Sequence, residues 1–207
     1  MKELIARRAA RLLKPGWVVN LGIGIPTLVS KYVDEGAVFL HSENGVLGVG
    51  PPPTPAQLDV NLIDAGKRPI TVQPGAAYFD SAQSFAMIRG GHVDAAVLGA
   101  LQVDGHGIIA NWAIPGELVL GVGGAMDLLS GVRSVIVVMS HTTREGEPKI
   151  VRELTLPKSS LRPADYVVTE LATFRVRDGG LVLDELVEGV SLEDVKARTA
   201  APFRTNQ

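Results

Sequence analysis

The sequence predicts an α/β fold, a mostly parallel β-sheet flanked by helices with a β-rich C-terminal part. Three observations carry this. The runs "WVVNL" (17–21), "AVFLH" (37–41), "PITV" (69–72), "DAAVLGA" (94–100) and "SVIVVM" (134–139) are continuously apolar. Strands that lack polar alternation are usually covered on both faces. Helical stretches fall between several of them, and after residue 174 the pattern changes to paired short strands.

The elements follow in order. Leu4, Ile5, Arg8, Ala9, Leu12 and Leu13 recur at helical spacing until Pro15-Gly16 stops them, which predicts an amphipathic N-terminal helix. After strand 17–21 comes "GIG", with Pro26 opening a helix through "TLVSKYV". "PPPTP" (51–55) reads as a stiff extended loop. "SAQSFAMIRGG" (81–91) reads as a helix closed by glycine. "FRVRDGGLVLDEL" reads as two strands joined at Asp178-Gly179-Gly180, a strong hairpin signal. Ser191 is a natural N-cap for the last helix. With no linker, repeat or low-complexity segment, residues 1–207 are expected to form a single domain.

Composition narrows the function classes. Apolar residues make up 46%, charged residues 20%, and the net charge is −2, as in a soluble globular protein. There is no basic excess to attract nucleic acid, and no apolar run of about 20 residues to cross a membrane. The stretch "MKELIARRAARLLKPG" lacks the apolar core of a signal peptide, so a cytoplasmic location is expected. Absence of cysteine removes disulfides, thiolate–zinc sites and thiol nucleophiles. The histidines at 41, 92, 106 and 141 have no ligand spacing, so no metal is expected, and each is read as a surface or satisfied structural histidine.

Glycine is plentiful, yet the familiar glycine motifs fail. "GIGIPT" (22–27) has Thr27 where a dinucleotide fingerprint needs its third glycine, and "GVGGAM" (121–126) has Met126. "GHGIIA" (105–110) fits on paper but precedes a strand. Lys67 follows Gly66 without the upstream glycine of a P-loop, and no G-x-S-x-G elbow exists. What remains are three glycine-rich segments at strand or helix ends: "NLGIGIP", "ENGVLGVG" and "GVGGAMDLLSG". Ligands collect at the carboxyl ends of strands in open α/β sheets. There stands His41-Ser42-Glu43-Asn44-Gly45, a carboxylate among turn residues at the end of an apolar run.

"LHSENGVLG", "NLGIGIPT" and "GVGGAMDL", in their relative positions, resemble the β subunit of the family I CoA-transferases that act on 3-oxoacids, the succinyl-CoA:3-ketoacid and 3-oxoadipate type. The resemblance runs from about Leu12 to about Phe203, with no departure at the motif positions. It implies a CoA-transferase-like (NagB/RpiA-like) fold and makes Glu43 the covalent nucleophile. It further implies an α subunit of related fold, an α2β2 assembly with the site between the chains, and coenzyme A thioester as substrate with no permanently bound cofactor. Gly123, Gly124 and Ala125 would lie beside the acyl carbonyl and CoA, and Asn20 and Lys67 would line the CoA path.

The residues fit that chemistry. A free glutamate titrates near about 4.3, so a carboxylate nucleophile needs no general base, only a cleft that replaces water with fixed dipoles. Backbone N–H groups of "GVGGA", or of "LGIG" with Gly22 and Gly24, are candidate oxyanion donors. Ser42 and Asn44 are expected to orient the Glu43 loop through local bonds to the backbone. Two alternatives stay open on the residues alone. Water could intercept the same intermediate, giving an acyl-CoA thioesterase, or the chain could be a non-catalytic CoA-binding subunit.

Overall fold

The computed structural model describes residues 1–34, 36–116 and 121–205. Helix α1 (Lys2–Ala10) leads into β1 (Val18–Leu21), and a 3-10 helix (Pro26–Tyr32) leads to β2 (Phe39–Ser42), β3 (Val46–Val49) and β4 (Val72–Tyr78). Next come α2 (Ser81–Arg89), β5 (Ala95–Gly99), β6 (Gln102–Asp104), β7 (Ile109–Ala110), α3 (Ala125–Gly131), β8 (Ser134–Val138) and β9 (Ile150–Val151). The chain ends with β10 (Tyr166–Val168), β11 (Ala172–Arg177), β12 (Gly180–Leu186), α4 (Leu192–Arg198) and β13 (Phe203–Thr205).

The main sheet runs β13-β12-β11-β10-β8-β5-β1-β2-β3-β4, and a smaller sheet runs β7-β6-β9. Its centre, β10-β8-β5-β1-β2, is parallel throughout. Antiparallel pairs extend it on both sides, β2-β3-β4 at one edge and β10-β11-β12 at the other. The C-terminal strands therefore continue the main sheet.

Side-chain alternation explains the unbroken apolar runs. Ala96, Leu98, Val135 and Val137 pack under α2 and α3 with Ile88, Leu128 and Leu129. Val97, Ile136 and Val138 point the other way, against Ile5, Ala6 and Ala9 of α1 and Val29 of the 3-10 helix. Successive residues of a strand face opposite sides, so both faces are apolar because both are covered.

Turn chemistry follows the residues. Asp178 (φ 50°) and Gly179 (φ 72°) form the two-residue hairpin loop between β11 and β12, the positive-φ pair that matches strand twist. Ser191 caps α4 by accepting from Asp194 N–H at 3.0 Å.

Two expected elements differ. The segment opened by Pro26 is a 3-10 helix. The strand expected at 69–72 begins only at Val72, and β4 is a largely exposed antiparallel edge strand. Pro69 has no N–H to give a ladder and meets Ile63 only in an isolated bridge. Ile70 N–H and Thr71 N–H bond to the carbonyls of Leu62 and Pro51.

Candidate active site

Asn20 on β1 pairs directly with His41 on β2. Both side chains project to the α2/α3 side, because their neighbours Val19 and Leu40 fill the opposite core. Two residues on, the chain reverses through Glu43-Asn44-Gly45 into β3. The reversal is a turn closed by Gly45 N–H to the Ser42 carbonyl at 2.9 Å. Gly45 holds φ 124°, and a Cβ there would stand 2.0 Å from the Phe79 carbonyl oxygen. Only glycine fits this corner.

The turn presents Glu43 half-buried. Asn20 Nδ2 donates to Glu43 Oε2 at 2.9 Å and lies 3.2 Å from His41 Nδ1 and 3.3 Å from the His41 carbonyl. Ser84 Oγ of α2 lies 3.1 Å from His41 Nε2, and the Phe79 ring stacks on the imidazole at 5.9 Å. Burial pushes the His41 pKa down to about 4, so the ring is neutral at physiological pH. The opposite wall is the start of α3, where a Cβ on Gly124 would come within 3.4 Å of Glu43 Cγ and 3.2 Å of the Phe85 ring.

The flanking residues act at longer range than local turn bonds. Ser42 Oγ accepts from Ala65 N–H at 2.9 Å, and Asn44 Nδ2 donates to the Ile63 carbonyl at 2.8 Å. They pin the Ile63–Pro69 reversal beside the nucleophile. That reversal carries Lys67, exposed and at φ 61°. Its N–H bonds to the Asp64 carbonyl, and Asp64 is paired with Arg68 at 2.6 Å. A Cβ on Gly66 would lie 3.4 Å from Ile23, so the "GIG" loop abuts this turn.

The glycine loops divide by what their N–H groups already do. Gly22 N–H bonds to the Val97 carbonyl at 2.9 Å, and Ala125 N–H to the Val122 carbonyl at 3.3 Å. Neither is a free donor. Gly24 (φ 92°) lies in the exposed loop beyond β1, next to Ile23, which is 71% exposed. Gly123 takes φ 54° at the turn into α3, and Gly124 faces Glu43. The structure thus brings Asn20, Glu43 and Gly124 together, with Gly123 adjacent, and sets Lys67 on the neighbouring turn. His41, read as a surface or satisfied structural histidine, is buried with partners at both ring nitrogens, and Ser84 and Phe85 are neighbours of the site that sequence reasoning missed. Their signal lies in strand register and helix placement rather than in any motif.

Cavities of about 180, 210 and 160 Å³ among the described residues are not lined by Glu43. Among the described residues the Glu43 side chain is only partly covered. Among the described residues no three His, Cys, Asp or Glu side chains converge as metal ligands, and no helix is long and apolar enough to cross a membrane.

Comparison with known proteins decides the family. The pattern of the coenzyme A transferases matches residues 2–198. The chain belongs to the coenzyme A transferase family. It is 49% identical over 203 residues to one subunit of the succinyl-CoA:3-ketoacid coenzyme A transferase of Helicobacter pylori, covering 98% of each chain. It is 51% identical over 203 residues to the beta subunit of the acetate CoA-transferase of Escherichia coli K12, covering 98% of this chain and 93% of that one. The apoenzyme of the acyl-CoA transferase YdiF of Escherichia coli O157:H7 shares the fold, with TM-score 0.79 and 24% identity. That match spans 99% of this chain but only 42% of YdiF. The resemblance drawn on "SENG" and the glycine loops, and the α/β coenzyme A transferase fold it implied, are borne out.

Proposed function

We propose that this chain is the nucleophile-bearing subunit of a CoA-transferase moving CoA between an acyl-CoA, such as succinyl-CoA, and a 3-oxoacid or other short-chain acid. One observation carries the reading: a half-buried Glu43 carboxylate, held on a turn by the Asn20 amide at 2.9 Å and faced by Gly124. The names of its relatives support the substrate class.

A Glu43 oxygen attacks the thioester carbonyl, the C–S bond breaks, and CoA leaves as thiolate from an acyl–glutamyl anhydride. The thiolate then attacks the glutamyl carbonyl and expels the acid, leaving a glutamyl-CoA thioester. A second acid reverses both steps and departs with CoA. This is covalent catalysis with ping-pong kinetics. The N–H groups of Gly123 and Gly124 are better placed as oxyanion donors than those of Gly22 and Ala125, which are committed within the chain. Lys67 supplies a cation for a CoA phosphate.

The part of Glu43 that this chain leaves exposed is covered, on this reading, by an α subunit in an α2β2 assembly. The two bacterial relatives are each named as one subunit of their enzyme, which supports a two-chain enzyme here. A cytoplasmic location agrees with the sequence expectation.

The test is a covalent-adduct map. The chain, purified with whatever co-purifies, is incubated with acetoacetyl-CoA, trapped with borohydride and read by intact mass and peptide fragments. CoA mass or reduction localised to Glu43 is the expected result. A bound partner and bound CoA with no adduct on Glu43 would overturn the mechanism, and robust turnover by the isolated chain would overturn the partner.

A further inference from the structure

Asn20 poses a question that the proposed mechanism leaves unanswered. Its amide nitrogen faces three acceptors, His41 Nδ1, the His41 carbonyl and Glu43 Oε2, but has only two hydrogens to give. Its carbonyl oxygen Oδ1 is buried without a hydrogen-bond partner among the described residues. Such an orphan acceptor is unfavourable, and what offsets it is the set of acceptors that the nitrogen meets on its other side. Something holds the nitrogen toward Glu43.

From this geometry we infer that His41 is a positioning residue, a neutral imidazole whose Nδ1 lone pair fixes the Asn20 amide so that its nitrogen, and not its oxygen, meets the nucleophile. Asn20 Nδ2 can only donate, so His41 Nδ1 is unprotonated and the ring proton sits on Nε2. There it donates to Ser84 Oγ at 3.1 Å. The relay therefore runs Ser84 to His41 to Asn20 to Glu43. With the proton on Nδ1 instead, an N–H would confront the amide N–H. The amide would turn, and Oδ1 would be set against the Glu43 carboxylate, oxygen against oxygen. Ser84 Oγ, which accepts as readily as it donates, satisfies Nε2–H from α2, and the Phe79 ring holds the imidazole plane. Burial, which lowers the ring's pKa to about 4, keeps it neutral at physiological pH.

The inference rests on Glu43 being the nucleophile, and the test separates the two. The assembled enzyme is compared as wild type, His41→Leu, His41→Gln and Ser84→Ala. The readouts are the single-turnover rate of CoA-adduct formation and the acyl-CoA Kd. Leucine fills the site but accepts nothing, so adduct formation slows about 10–100-fold, the scale of a hydrogen bond to a charged group, while Kd stays within about 3-fold. Glutamine offers one acceptor and one donor edge, as neutral histidine does. His41→Gln therefore recovers about 10-fold or more over His41→Leu, and Ser84→Ala falls between wild type and His41→Leu. Equal losses in His41→Gln and His41→Leu, or none in His41→Leu, would overturn the relay while leaving the mechanism standing. No adduct in wild type would instead sink the proposed mechanism.

A second readout needs neither turnover nor a substitution at His41. Imidazole 15N shifts of the labelled assembly should report protonated Nε2 and bare Nδ1 for His41. A protonated Nδ1 would overturn the relay whatever the kinetics.

Discussion

Asn20 and Glu43, 23 residues apart, meet at 2.9 Å because parallel strands β1 and β2 place Asn20 beside His41 and the chain turns immediately afterwards. The contact touches the carboxylate that does the chemistry on the proposed mechanism. Asn20→Ala removes one charge-assisted donor and should lower kcat about 10–100-fold with the fold intact. Asn20→Asp should be worse, since it sets a second carboxylate against Glu43. Like charges at that distance raise a carboxyl pKa, so the acid limb of the pH–rate profile should also move upward. A profile of the aspartate variant no different from the alanine variant would argue against direct contact.

Much of this arrangement is legible in the sequence, and the rest is hidden for identifiable reasons. The "SENG" turn, the Asp178-Gly179 hairpin and the Ser191 cap depend on local chemistry, so each stands where its residues say. The central strands are plain because both faces are buried. Contacts that depend on register are not legible. Nothing local says that His41 will lie beside Asn20, or that Ser84, 43 residues further on, will reach its ring. Ser42 and Asn44 have the side chains of local turn formers, but their partners are Ala65 and Ile63. The "PITV" run misleads because its N–H groups bond into the 51 and 62 loops, where no apolar pattern records them.

Two glycines of the site should respond in opposite ways. Gly45→Ala forces a Cβ to 2.0 Å from the Phe79 oxygen at φ 124°. The backbone must move, and the fold should lose about 2–4 kcal/mol, read by denaturant melts. Gly124 has an ordinary φ of −83° and only side-chain neighbours at 3.2–3.4 Å. Gly124→Ala should keep its Tm within a few degrees yet lose about 10-fold or more in kcat, because the added methyl stands against Glu43 and the acyl path. Similar melting losses in both variants would refute the distinction.

Acid sensitivity follows from two buried histidines. His141, like His41, has its pKa pushed down to about 4 by burial, helped by Arg198. In the unfolded chain both titrate near about 6.5. Above that value neither state holds the proton and stability is independent of these groups. Between about 6.5 and 4 the unfolded chain takes up protons that the folded chain refuses, so stability falls as pH falls. Each histidine contributes roughly 3 kcal/mol over that window. Replacing His141 by Gln should flatten the slope of unfolding free energy against pH, and an unchanged slope would place the acid sensitivity elsewhere.

Lys67 offers the sharpest separation of stability from function. A lysine at φ 61° costs roughly 1–2 kcal/mol relative to an ordinary backbone, and it is held there by the Asp64 carbonyl and the Asp64–Arg68 pair. Glycine would adopt the same turn without that cost, though with more unfolded-state freedom to lose. On the proposed function the lysine serves through its side chain, exposed on the turn beside the Glu43 hairpin. Lys67→Gly should leave stability equal or raise it by up to about 1 kcal/mol. Its KM for acyl-CoA should rise about 3–10-fold with kcat little changed, the pattern of lost uniform binding. If Lys67 meets a CoA phosphate, as the proposed function has it, the KM penalty should shrink as salt rises. A destabilised Lys67→Gly with an unaltered KM would mean that the lysine serves the turn and not the ligand.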